Sequence, residues 1–449
     1  MGGGFDIDNY LTIIALEDGL TAALSGNTVD YCVDGDGNWK TLASNTASES
    51  INKGQTLSFR STLTPASSKG VGRFVINKSC DLTGNCNSLL FGDDANSNNS
   101  LSGKNYAFYQ LFQNCTTIKN VSSNFLPATT LAMYCYQYMF YNCSSLTTAP
   151  KLPATTLKQY CYNYMFYGCS SLATTPRLLA TTLANNCYYN MFNGTNVLPD
   201  CSNINFSSST VVASGGLKGL FYGTKVTDGD LRSILPINSN GNYYLPATTL
   251  TSNCYESMFY GCKALTTAPQ LPATTLQNYC YYRMFYGCSK LTTAPQLPAT
   301  TLASSCYQGM FQNCSSLTTA PQLPATTLAD GCYDSMFYGC SSLTTVPELP
   351  VTTLTNSCYN CMFMDCTSLT TAPELPATTL KSQCYYQMFY GCSKLNYIKA
   401  MFTTTPSSTY TSNWVRGVAS SGTFIKSKNA TWSVTGTYGI PSGWTVQTA

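Results

Sequence analysis

The 449-residue chain contains no histidine. That removes the side chain most often used as a general base near neutral pH and as a transition-metal ligand. Charge is scarce as well: Asp, Glu, Lys and Arg make up 10% of the residues, 23 basic against 20 acidic, for a formal net charge of +3. With no basic stripe to neutralise a run of phosphates, nucleic acid is not expected as a partner. The few carboxylates of the repeated region (Glu256, Asp330, Asp334, Glu348, Asp365 and Glu374) share no common position. No acid/base pair of the kind glycoside hydrolysis needs stands out, and the serines have no base to activate them. No stretch approaches the ~20 apolar residues of a membrane span. The opening "MGGGFDIDNYLTIIALEDG" has neither the basic nor the apolar region of a secretory signal, and Asp6 stands where N-myristoylation requires Ser or Thr. These absences lead us to expect a non-enzymatic protein without cofactor or metal. If it acts at a surface, it should reach it by a route such as a particle released by lysis.

What the chain has instead is repetition. The phrase "LPATTL" begins at Leu126, Leu152, Leu178 (as "LLATTL"), Leu245, Leu271, Leu297, Leu323, Leu349 and Leu375, with a step of 26 residues from Leu245 to Leu271. Between Leu178 and Leu245 the period breaks. Hydrophobic residues make up 44% of the chain, enough for a core, and a period of this length signals stacked structural units. Residues 1–104 carry no repeat. Their short runs "YLTIIAL", "TVDYCVDGDGNWKTL", "QTLSFRSTL" and "GRFVINKS", bounded by Gly, Asp, Asn and Ser, predict an all-β, sandwich-like domain. Residues 105–399 form the repeat row, starting with the divergent "YAFYQLFQNCTTIKNV" and interrupted by an irregular insertion at about 195–244. Residues 400–449 lose the cysteines and hold three of the four tryptophans, as a C-terminal cap would.

Within the repeat from Leu271, Leu276, Cys280, Met284 and Cys288 fall at every fourth position, with Tyr281 and Phe285 beside them. This spacing predicts an amphipathic helix of about three turns, N-capped by Thr274 or Thr275, with Gly287 in its last turn. "LTTAPQLPATTL" reads as extended, with a short paired strand at "LTTA" because the prolines cannot donate to a ladder. The fold expected is an α/β repeat solenoid, a parallel sheet plus short helices, joined to the N-terminal β-domain.

The segment "CSKLTTAPQLPATTLQNYCYYRMFYGC" resembles the BspA-like leucine-rich repeat, with Leu291, Ala294, Leu297 and Pro298 on the strand positions and Phe285 and Cys288 as its "F-x-x-C". With "YAFYQLFQNCTT" and the ending "NWVRGVASSGTFIK…GIPSGWTVQTA", the chain is also similar to leucine-rich-repeat proteins encoded by gut Bacteroidales and their phages. The resemblance implies a surface or adhesion protein. On a phage virion it would sit on capsid or tail, held to other virion proteins by its β-domain, possible as a homo-oligomer, and bind host-surface glycan or protein through the solenoid. The alternative is an adhesin on the bacterial cell surface.

One cysteine column runs through Cys135, Cys161, Cys187, Cys254, Cys280, Cys306, Cys332, Cys358 and Cys384, and a second, with Thr195 in place of one member, lies eight residues on. Eight residues of helix, ~12 Å, is too far for a disulfide within a repeat. The columns read as a ladder of small buried residues, with pairwise bridges between repeats as the alternative. The Tyr after Met-Phe recurs at Tyr141, Tyr167, Tyr260, Tyr286, Tyr338 and Tyr390, a strip that could stack on sugars or pack on a protein. The residue between the two prolines varies, and Gln270, Gln296 and Gln322 are the binding residues proposed there. "DGDGN", Asp34 to Asn38, starts like a calcium loop but has Asn45 where the closing glutamate belongs, so a turn explains it equally well.

Overall fold

The computed structural model describes residues 6–199, 201 and 215–449. Residues 1–5 of the expected β-domain, and 200 and 202–214 of the expected insertion, lie outside the described residues. The chain divides into two compact units, Met1–Asn205 with Gly219–Thr224, and Phe206–Lys218 with Lys225–Ala449.

The first unit begins with β1 (Leu11–Ala15), β2 (Ala22–Leu24), β3 (Val29–Val33), β4 (Lys40–Leu42), β5 (Thr56–Arg60), β6 (Phe74–Ile76) and β7 (Cys80–Thr83), followed by the one-turn helix α1 (Ser88–Phe91) and by β8 (Ile118–Val121). Six strands form one sheet in the order β4-β3-β5-β1-β7-β8, and β2 and β6 form a second. Alternation in β6 turns Phe74 and Ile76 inward and leaves Val75 outside, as the two-residue strand period requires. Phe59 of β5 meets Phe74 edge-on at 5.0 Å, closing a core between the sheets. All the β-domain pairs are antiparallel except β7 with β8. Since β8 belongs to the divergent first repeat, the sheet of the β-domain runs on into the repeat row.

The helix expected over Leu276 to Cys288 is not there, nor does any other regular repeat form one. The backbone makes a succession of turns, with positive φ at every fourth residue: Tyr279 (58°), Arg283 (51°) and Gly287 (70°). N–H groups then alternate in destination. In the first unit, Tyr136, Tyr138, Phe140 and Asn142 donate forward to the carbonyls of Cys161, Asn163, Met165 and Tyr167 in the next repeat at 2.7–3.0 Å. The residues between them close turns in their own repeat, Met139 to Tyr136, Tyr141 to Tyr138 and Cys143 to Phe140, at 3.1–3.2 Å. In the second unit Tyr255, Ser257, Phe259 and Gly261 repeat the forward pattern. All these buried backbone groups are therefore satisfied. The periodicity explains the misreading: an α-helix drifts ~40° with each four-residue step, whereas here the period is four and the buried residues stay on one face. Each non-glycine residue with positive φ costs about 1 kcal/mol, and the cost is offset by the hydrogen bonds on either side.

The expected continuous parallel sheet is likewise reduced. Between regular repeats the extended segments meet at isolated parallel bridges such as Thr267↔Thr293, Thr319↔Thr345 and Thr301↔Thr327. Thr274 and Thr275 cap no helix: Thr275 pairs with Thr249, and both are exposed. Prolines and forward-bonding turns leave no room for longer pairing.

Inside, identical side chains stack. In the first unit Tyr136, Tyr162 and Tyr188 follow Phe108 at 5.7–6.0 Å, and Phe112, Phe140, Phe166 and Phe192 stack at 5.6–5.8 Å. Phe74 of the β-domain continues the second row at 5.4 Å. In the second unit the Tyr row runs from Tyr255 to Tyr385 and the Phe row from Phe259 to Phe389, and both end on buried Trp414, 6.3 Å from Tyr385 and 6.1 Å from Phe389.

The second unit opens with α2 (Asp228–Ile234), started by a Thr227/Asp230 capping box, and closes with β9 (Tyr397–Ala400), the short helix α3 (Ser408–Thr411), β10 (Thr423–Lys426) and β11 (Thr445–Thr448). These three strands form a parallel sheet in the order β11-β10-β9. The indole N–H groups of Trp414, Trp432 and Trp444 donate to the carbonyls of Gly439, Phe402 and Ala419, tying the closing segment together.

Candidate functional site

The repeated letters lie inside. All the first-column cysteines are free and buried, and burial pushes the thiols of Cys280 and Cys332 up to about 12, out of reach of thiolate chemistry. The second column has a specific task. Its thiols donate backward to the preceding repeat's Phe carbonyl, Cys169 to Phe140, Cys288 to Phe259, Cys314 to Phe285 and Cys340 to Phe311, each at 3.1 Å. Those carbonyls already accept an N–H from the cysteine of their own repeat, so both lone pairs are occupied. Thr195 uses its hydroxyl on the Phe192 carbonyl at 2.7 Å instead. Cys361, outside both columns, is the one cysteine that is only half-buried.

Of the tyrosines proposed from sequence, Tyr141, Tyr167, Tyr260, Tyr286, Tyr338 and Tyr390 are all half-exposed. Tyr141 stacks on Tyr167 at 4.8 Å and Tyr260 on Tyr286 at 4.4 Å, nearly parallel. Gln312 and Met364 interrupt the column, so Tyr338 and Tyr390 have no tyrosine next to them in it. Pairing consumes one face of each ring. Stacking on sugars, one of the two uses the sequence offers for this strip, would be confined to the one face that each paired ring keeps.

Two further tyrosine columns escaped the sequence reading. Tyr106, Tyr134 and Tyr160 stack at 4.5 and 4.9 Å, and Tyr138 and Tyr164 at 5.0 Å. Tyr138 touches Tyr141 edge-on at 5.5 Å, joining the columns into one aromatic surface on the turn side of the first unit. Burial, and then the neighbouring phenol Tyr164, pushes Tyr138 up to about 12, so this surface presents neutral hydroxyls. On a helix, too, Tyr134, Tyr138 and Tyr141, at i, i+4 and i+7, would share a face. With four residues per turn they share a side, and the even spacing of Tyr134, Tyr136 and Tyr138 was the available signal.

In the second unit the same two columns are mostly polar or glycine, with Tyr279 and Cys361 the exceptions, and the column just before Ser335 holds Asp334. Asp334 accepts from Ser335 at 2.6 Å, Gln308 at 3.1 Å and Asn360 at 3.3 Å, and burial raises its pKa despite these donors. The Arg283 guanidinium lies 5.0 Å from the ring centre of Tyr282 and 5.6 Å from that of Tyr286.

Gln270 and Gln296 come together in a cavity of about 600 Å³, floored by Leu271, Pro272 and Pro298 and walled by Asn238, Asn240, Asn242 and Tyr244. Gln322 is exposed and does not line it, and none of the six proposed tyrosines does. The wall comes from the irregular insertion. α2 leads into a hairpin closed by Ile237↔Tyr243, and Arg232 holds its tip by donating to the Gly241 carbonyl at 2.8 Å. Asp228 anchors the segment. Its carboxylate accepts from the Thr266 and Thr267 N–H groups at 3.0 and 3.1 Å and from the Thr266 hydroxyl, where Thr292 uses a carbonyl of the preceding repeat. Burial raises the Asp228 pKa, but these hydrogen bonds outweigh it and leave the pKa lowered. Further along, Glu348, Glu374 and four prolines line a smaller cavity of about 390 Å³, with Glu374 bound to Lys399 at 3.0 Å.

The "DGDGN" carboxylates serve the chain: Asp34 accepts from Gln55 and the Thr56 N–H, and Asp36 from Asn38. Among the described residues no helix is long and apolar enough to cross a membrane.

Comparison with known families finds a match to the model described as BspA type leucine-rich repeat region (6 copies) over residues 101–214, 242–327 and 331–413. Residues 215–241, which hold α2 and the hairpin tip, fall between matched stretches. No curated protein and no solved structure matches.

Proposed function

The chain belongs to the BspA-type leucine-rich repeat family, and from that premise we propose that it is a non-enzymatic adhesion protein: the β-domain attaches it to a particle or cell, and the repeat surfaces bind a partner. The observation carrying this reading is the division of labour within the repeat. Cys280, Tyr281, Met284, Phe285, Cys288 and Leu291 are all buried, while the letters that vary, such as Gln277, Asn278 and Gln296, are exposed. The repeated Thr274 and Thr275 also face outward, but their N–H groups are bonded to the Thr248 carbonyl of the preceding repeat. A row with a constant interior and a variable part of its exterior suits recognition rather than catalysis.

We place the protein on a phage virion, on capsid or tail, because its first repeat and closing segment resemble those of phage-encoded repeat proteins. Display on a bacterial cell surface accords equally with family membership. Adhesion is tested by retention of the purified chain on immobilised mucin and on intact gut bacteria; failure on both removes the reading. Antibody labelling of virions against fractionated cell envelopes separates the two locations. Label confined to the envelope removes the virion assignment.

A further inference from the structure

We propose that the cavity between the 236–244 hairpin and the Gln270/Gln296 face is a binding site for an uncharged oligosaccharide. This rests on the adhesion reading and gives it a ligand class and a place.

The lining decides the chemistry. Its polar side chains are Asn238, Asn240, Asn242, Gln270, Gln296 and the Tyr244 phenol, above a floor of leucine and proline, and no charged residue takes part. A carboxamide offers donor and acceptor side by side in one plane. That pattern matches vicinal sugar hydroxyls, each of which both donates and accepts. The half-exposed Tyr244 adds an amphipathic ring for the C–H face of a pyranose. The cavity, about 600 Å³, is within the usual range for small-ligand sites. Without cations or carboxylates it offers no pairing for a sialic or uronic acid.

An extended peptide is the competing occupant, and the backbone argues against it. Strand addition needs free main-chain groups, but the Tyr244 N–H goes to Pro236, the Leu245 N–H to Gln270 and the Gln270 N–H to Tyr243, at 2.9–3.1 Å. The side chains, by contrast, are held ready. The Asn238 carboxamide oxygen accepts the N–H groups of Asn240 and Asn242, both at 3.0 Å, fixing the tip of the hairpin. The carboxamides of Asn240, Asn242 and Gln296 make no hydrogen bond to protein among the described residues. A fixed frame carrying unengaged carboxamides is preorganised for a ligand. The tip of the hairpin, with Asn238 and Asn240, also lies between the stretches that match the family pattern, as a specificity element would.

The test is saturation-transfer NMR on the full chain with N-acetyllactosamine, lacto-N-biose, cellobiose, chitobiose and mannobiose, and with sialyllactose as the charged probe. At least one neutral sugar should bind and sialyllactose should not bind better. The double variant Asn242→Ala/Gln296→Ala should weaken binding about tenfold or more. Lys428→Ala, exposed and outside the cavity, should leave it unchanged and controls for folding. If no neutral sugar binds at about 10 mM while the chain still adheres to mucin, the pocket assignment falls and the adhesion reading stands. Sugar binding undiminished in the double variant also overturns the assignment, whereas failure to adhere to both mucin and bacteria, with no sugar binding, removes both.

Discussion

The turn side of the first unit and that of the second share one backbone and differ at many outward positions, although Tyr160 and Tyr167 keep tyrosine counterparts in Tyr279 and Tyr286. Where the first unit carries Tyr134, Tyr138 and Tyr164, the second carries Asn253, Ser257 and Arg283, all with positive φ. The buried rows do not change between them. Outer side chains in this fold are decoupled from its stability, because the forward N–H bonds and the Tyr, Phe and Cys rows determine the turns by themselves. A helix would have discriminated more sharply, since its outer residues contribute propensity.

That decoupling can be broken most visibly from inside. Phe311→Ala, in the buried row of the second unit, removes a ring stacked at 5.7 Å on both sides and should cost about 3–5 kcal/mol in denaturant unfolding. Next is the third positive-φ column, which holds Asn142, Gly168, Gly287, Asn313, Gly339, Asp365 and Gly391, all of the types that tolerate that conformation. At Gly391 φ is 73° and an added Cβ would meet a carboxylate oxygen of Asp365. Gly391→Ala should cost about 1–3 kcal/mol, and the additional change Asp365→Gly should recover part of it. Cys314→Ala deprives the Phe285 carbonyl of its second donor and should cost about 1–2 kcal/mol. A larger loss for Cys314→Ala than for Gly391→Ala would reverse the ranking of packing and backbone geometry.

Asp228 gives a pH-dependent test. Its pKa is lowered in the folded chain, so its stabilisation is complete above the unfolded value of about 3.9 and fades as pH falls through the lower folded value. The protection factors of the Thr266 and Thr267 amides against hydrogen exchange, taken relative to the intrinsic rate at each pH, should fall on acidification through that window. Asp228→Asn should show the faster exchange already at neutral pH. The smallest effect is expected where the two units differ most: Tyr138→Ser with Tyr164→Arg, giving the first unit second-unit residues, should shift stability by less than about 1 kcal/mol. A larger loss would show the tyrosine columns to be structural after all.

Much of this was legible in the letters. The repeat row, its interruption and the set Leu276, Cys280, Tyr281, Met284, Phe285 and Cys288 could be read off, because invariance of apolar letters across copies marks an interior, whereas the equally repeated Thr274 and Thr275 are exposed. The turn geometry was not read, because burial at i, i+4 and i+8 suits a short helix almost as well as four-residue turns. Gly287 and its counterparts Asn313 and Asp365 held the distinguishing information: residues tolerant of positive φ recurring in one column, where a helix end was the simpler account. The Tyr134 and Tyr138 columns were not read because they hold tyrosine only in the first copies and turn to Asn253 and Ser257 further on. The Asn238 to Tyr244 hairpin and the Asp228 anchor occur once, so no second copy existed to show what departs from the pattern.

The forward hydrogen bonds also give the row a direction. In the turn ladder every inter-repeat N–H points toward the next repeat, so a row cut at its C-terminal side would expose donors and one cut at its N-terminal side carbonyls. The two ends are therefore closed by opposite chemistry. In the second unit the closing segment presents the carbonyls of Thr409, Tyr410, Ser412, Trp414 and Arg416 to the last five donors. In the first, Phe74 offers its N–H to Leu111 at 2.7 Å. Because each end meets only the type of edge presented to it, copies could be gained or lost between the ends by unequal exchange without redesigning either closure.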